Sequence, residues 1–285
     1  MRKTLAGILL CAALAVLTGC GAAAGQTAEQ SLCQQASGLR PDAAVARVDG
    51  LEITAERYLY LLAVNCDYLS DSYSGAGRTL DWTAPLGSGQ TLAGYAKQRA
   101  LETAALYAEI ELLSQRHGCG LTAEDESAVA ADESARAEQL GGAAAYARRL
   151  AWLGMSQTGA RQLSGDYRLY RHLYALYTTP GSALYPAAGT ADAAGFDALL
   201  ESAADSAEIT YSHAYDTLNV ADFYEKLTAA RAALPAAGQG GETAGAASAG
   251  SGSQAAASAV PSGSEASQSA ASAAGAVPAG SAPAG

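Results

Sequence analysis

A chain of 285 residues with 17 basic against 28 acidic side chains carries a formal charge of −11. Binding a phosphate backbone needs clustered Lys and Arg, so this balance excludes nucleic acid as a partner. The chain is long enough for one domain with a real core.

The first twenty residues read MRKTLAGILLCAALAVLTGC. Arg2 and Lys3 form a positive start, Leu5 to Leu17 an apolar stretch, and small residues follow, the layout of a secretory signal. The stretch is shorter than the roughly 20 apolar residues that cross a bilayer. Its end, Leu17-Thr18-Gly19-Cys20, resembles the bacterial lipobox. That resemblance implies cleavage before Cys20 and a diacylglyceryl group on its thiol, which places the mature protein on the extracytoplasmic face of the bacterial cell membrane. Losing residues 1 to 19 removes two positive charges and no negative ones, so the formal charge moves from −11 to −13. An acidic protein is weakly repelled by anionic lipid, so the lipid anchor rather than a basic patch must hold it there. Residues 20 to 41 read as a lipidated tether, and 42 to 235 as the foldable domain.

Within the domain, VARVDGLEI alternates around Asp49-Gly50, a dipeptide suited to a two-residue hairpin turn with positive φ at both positions. Thr54 can cap the helix that follows, where Tyr58, Leu61, Leu62, Cys66 and Leu69 recur at the helical period. Residues 70 to 90, rich in Gly, Ser and Pro, predict a long loop carrying Trp82, of a length that suits a lid or an insertion. Thr91 opens a long helix expected to end at Gly118 in a left-handed cap. Thr122 starts another with carboxylates in its first turn. A short helix covers 143 to 153, Gly154 breaks it, and Ser156 caps a helix running toward Pro180. A helix near 196 to 204, a strand at 207 to 211 and a last helix, VADFYEKLTAARAAL, complete the domain. From 236 to 285 the sequence is almost wholly Ala, Gly, Ser, Gln and Pro, with no aromatic residue, and reads as a disordered tail. The expected fold class is mainly α, a helical domain with a small hairpin or minor sheet.

This order of elements resembles the N-terminal chaperone domain of the SurA and PrsA family of extracytoplasmic foldases. Val45, Val48, Asp49, Gly50, Ile53 and Thr54 match its strand-pair signature, and Gly120, Leu121, Thr122 and Glu124 a version of its later helix start. The likeness spans about residues 44 to 179. It implies a helical chaperone-like scaffold that binds unfolded or newly exported polypeptides without ATP, in which the hairpin joins the scaffold and carries no chemistry. Family members usually add a parvulin-type prolyl isomerase domain. Here fewer than 60 residues separate Thr178 from Pro235, with His213 the lone histidine and Phe196 and Phe223 reading as helix core. The isomerase module is therefore expected to be missing. The alternatives are a prolyl isomerase with an unrecognised site, and a surface scaffold lipoprotein.

No cofactor or metal ligand set emerges. No cysteine pair has Cys-x-x-Cys spacing; Cys66 and Cys119 are the candidate disulfide, with buried free cysteines as the alternative. The runs Glu124-Asp125-Glu126 and Asp132-Glu133 read as a solvated helix face, and His117, His172 and His213 are scattered. Tyrosine stands out, with 15 Tyr against two Phe and two Trp. Tyr167, Tyr170, Tyr174 and Tyr177 form one helical stripe, read either as a peptide-binding groove or as core with hydroxyls at its rim.

Overall fold

The computed structural model describes residues 31–86, 89–187 and 191–234. The expected signal segment 1 to 19, the candidate lipidation residue Cys20 and the tail from 236 onward lie outside them. The order is α1 (Leu32–Ser37), β1 (Ala44–Val48), β2 (Leu51–Thr54), α2 (Ala55–Gly75), α3 (Leu92–His117), α4 (Ala123–Gln139) and α5 (Ala143–Leu153). Then come α6 (Gln157–Thr178), α7 (Ala193–Ser206), β3 (Ile209–Tyr211), α8 (His213–Thr217) and α9 (Val220–Ala233). The protein is mainly helical with a small antiparallel sheet. Among the described residues no helix is long and apolar enough to cross a membrane.

The hairpin forms as its turn dipeptide dictates. Asp49 has φ 47° and Gly50 φ 85°, the doubly positive turn whose twist matches the flanking strands. Val48 pairs with Leu51, a bulge lies between Ala44 and Ala46, and β3 adds antiparallel to the far side of β1, giving the order β2-β1-β3. Val45, Val48 and Ile53 are fully buried beneath the sheet, while Arg47 and Glu52 pair across its outer face at 2.5 Å.

Thr54, Thr91, Thr122 and Ser156 each cap the helix that follows, as their side chains predict. The long α3 is the hub, packed on α2, α6, α7 and α9. Its small residues Ala96, Ala100, Ala104 and Ala108 are fully buried, so neighbouring helices approach closely. Gly154 closes α5 at φ 77°, and a Cβ there would lie 2.1 Å from Cys33 Sγ. One glycine thus ends a helix and admits α1 beside it.

Two boundaries differ from the sequence reading. The expected tether through residue 41 gives way to folded structure from Ser31 onward: α1 packs on α9, α2 and α5, with Cys33 fully buried. Ser31 and Gln34 form a capping box and Gly38 a left-handed cap, which satisfy the ends of a six-residue helix that packing on α9 holds. The predicted loop at 70 to 90 is shorter, because α2 continues to Gly75. It is also pinned. Trp82 meets Tyr224 of α9 edge-on at 5.5 Å, and Ala93 N–H donates to its carbonyl, which is not the arrangement of a free lid.

Candidate functional site

The tyrosine stripe is brought together, but not as an open groove. Tyr170, Tyr174 and Tyr177 surround Phe196 of α7, with ring centroids 5.1, 5.5 and 5.3 Å away. Tyr170 and Tyr177 are buried, Tyr174 and Tyr167 half-buried. The Tyr170 hydroxyl donates to Asp197 at 3.0 Å, and burial, with that carboxylate second, raises its pKa. For Tyr170, Tyr174 and Tyr177 this arrangement is that of the core alternative, with Phe196 of α7 packed among their rings.

The disulfide expectation is corrected. Cys33, Cys66 and Cys119 are all free. Cys66 sits midway along α2, whereas Cys119 follows the end of α3 and bonds to the Ser114 carbonyl at 3.7 Å. Burial pushes the Cys33 thiol up to about 12 and raises that of Cys66, so neither is a ready thiolate.

Glu124, Glu126 and Asp132 are exposed, as a solvated face requires, while Asp125 is buried and Glu133 half-buried. Asp125 completes the capping box with Thr122 and lies 3.3 Å from His172 on α6; those Thr122 hydrogen bonds hold its carboxyl below the usual range. Asp132 meets Arg168 at 2.9 Å, and Glu133 accepts from Arg161 at 2.7 Å. Carboxylates on α4 and cations on α6 thus fasten one helix to the other. His117 lies in the last turn of α3, as expected.

Two polar clusters were not visible in the sequence. In the first, Arg57 of α2, 7% exposed, reaches Asp166 of α6 at 3.0 Å. It also lies 2.6 Å from Glu111 of α3, a charge contact that lacks hydrogen-bond geometry. Burial, opposed by Arg57 and reinforced by Glu111, pushes the Asp166 carboxyl up to about 7. In the second, Arg231 of α9 lies over the Trp152 ring at 4.3 Å and donates to Asp67 at 2.7 Å, while Tyr224 donates to the same carboxylate at 3.0 Å. These are interhelical fasteners. Each joins residues more than 50 positions apart, which no local pattern reveals.

Concave chemistry is slight. A cleft lined by Glu56, Arg57, Tyr60, Met155, Gly159 and Leu163 has an inner volume of about 10 Å³, room for about one water and for no small molecule. Among the described residues no group of three or more His, Cys, Asp or Glu is placed to hold a metal ion. What lies open is a surface: the outer edge of β3, where Tyr211 is 55% exposed, beside the half-buried Tyr215. Lys97 Nζ lies 4.4 Å above the Tyr215 ring and donates to the Tyr215 carbonyl at 2.6 Å, so that ring is held in place. No family model, curated protein or solved structure matches the chain.

Proposed function

We propose that this chain is a lipid-anchored extracytoplasmic lipoprotein that holds unfolded or newly exported polypeptides without ATP. The observation that carries the reading is the run Val45 to Thr54, a foldase-like strand-pair signature behind a lipobox, folded as a hairpin that feeds a Thr-capped helix. An exposed strand edge with tyrosines beside it, rather than a deep pocket, suits variable extended chains better than a small substrate. The acidic surface keeps such a protein soluble at the membrane face.

The purified mature protein is expected to suppress light scattering by a chemically unfolded client when no nucleotide is present. Scattering unchanged at tenfold molar excess would reject the holding activity and favour a surface scaffold. A protease-coupled assay on a prolyl peptide runs beside it. Conversion clearly faster than the uncatalysed tens to hundreds of seconds would move the protein to the isomerase class.

Anchoring is expected to depend on Cys20, because two acyl chains give a stable anchor where one gives reversible binding. Cys20→Ala should shift the protein from the membrane pellet to the soluble fraction. A variant that stays in the pellet after a high-salt wash would refute the lipobox reading.

A further inference from the structure

The sheet ends in an open edge at β3. Asp49 N–H donates to Glu208 O at 2.9 Å and Ser212 N–H to Val45 O at 3.0 Å, with Arg47 opposite Thr210 between them. In an antiparallel ladder alternate residues bond to the neighbouring strand. Glu208, Thr210 and Ser212 therefore face β1, and the N–H and C=O groups of Ile209 and Tyr211 point the other way. With the order β2-β1-β3, no strand of the described residues lies beyond them. Natural edge strands are commonly blunted by shortness, Lys, Pro or a bulge. Strand β3 is short, at three residues, but Ile-Thr-Tyr carries no Lys and no Pro.

Beside this edge the surface has a definite chemistry. Ile209 and Tyr211 pair with Val48 and Ala46, so their side chains share the apolar face of the sheet. Tyr211 overhangs it, with its ring 4.8 Å from that of Tyr215. Exposed carboxylates flank the strand in sequence, Asp205 and Glu208 before it and Asp216 after it. Of the cations nearby, Lys97 is turned inward to the carbonyls of Tyr215 and Leu218, and Arg47, opposite Thr210, is paired with Glu52. The edge thus offers main-chain donors and acceptors, an aromatic shelf and a negative border.

We propose that β3 is a strand-addition site for an extended polypeptide segment that alternates apolar residues and carries Lys or Arg near its ends. The segment's backbone would pair with Ile209 and Tyr211, an apolar side chain would lie on the Tyr211 ring, and its cations would meet Asp205, Glu208 and Asp216. This rests on the polypeptide-holding reading and gives it a site and a client chemistry.

The test uses the mature protein and a short fluorescent peptide alternating valine and threonine between terminal lysines, followed by anisotropy. Saturable binding is expected. It should weaken at least about tenfold when every peptide amide is N-methylated, because the donors that pair with the edge are gone. Ile209→Pro removes an outward N–H and leaves the β1 ladder its bonds, a tolerated place for proline on an edge; it should weaken binding about fivefold or more. Asp205→Asn with Glu208→Gln and Asp216→Asn changes exposed groups only and should abolish most of the salt dependence of binding. Binding that survives N-methylation, or that is indifferent to both protein variants, overturns the proposal. So does a wild-type dimer that Ile209→Pro splits in sedimentation, since a second copy would then own the edge. Client holding is measured on the same variants. If holding persists while the peptide fails to bind, the edge assignment falls and the chaperone reading stands; if neither occurs, both fall.

Discussion

Phe196→Ala is expected to lower the stability of the domain by about 3–5 kcal/mol, the usual cost of emptying a buried phenylalanine site. The ring is fully buried, and three tyrosines of α6 close around it, so little around the cavity can collapse to refill it. For a domain of this size the loss corresponds to a fall in Tm of about 6 to 20 °C. Tyr170→Ser, which also strands Asp197 without its hydroxyl donor, should fall in the same range. Chemical denaturation measures both, with the midpoint moving at constant slope. A groove function for the stripe would give the opposite pattern, near-native melting with weakened client holding. That pattern in Tyr170→Ser and Tyr174→Ser would restore the groove reading and would mean that α7 binds the stripe only loosely.

The difference between stripe and groove shows where a single sequence stops informing. Periodicity placed Tyr170, Tyr174 and Tyr177 on one face of α6 correctly, because a helix fixes which residues share a face. What covers that face depends on Phe196, beyond an intervening Pro/Gly loop, and no local rule selects it. The caps, the Asp49-Gly50 turn and the ends at Gly118 and Gly154 were legible for the same reason as the stripe: their causes lie within a few residues. Helix α1 was legible in principle. Ser31-x-x-Gln34 followed by Gly38 is a capping signature, but the surrounding Ala and Gln suggested a tether, and six residues make a helix only when α9 buries one side of them. The open edge of β3 needed the structure, since its existence depends on β1 having already committed its other side to β2.

Arg57→Met should produce the second large effect, about 3–5 kcal/mol at pH 8, because it leaves Asp166 and Glu111 facing each other without the cation that both contact. The penalty should shrink at pH 5, where Asp166, its carboxyl pKa raised by burial, is protonated. The wild type carries a related slope. Asp166 has a folded-state pKa of about 7, raised chiefly by burial, against about 3.9 unfolded. The folded state therefore binds the proton more tightly. Its contribution is fully present below the unfolded value and is lost as pH rises through about 7, a loss of up to about 4 kcal/mol across the window. Asp166→Asn keeps the shape and hydrogen-bonding reach of the neutral acid but cannot ionise, so its urea midpoint should vary less than wild type between pH 5 and 8.5. Equal slopes in the two proteins would show that Asp166 ionises in the folded state as readily as in the unfolded chain. In that case attraction to Arg57 would offset the cost of burying the carboxylate, and the cluster would act as a pH-independent fastener of α2, α3 and α6.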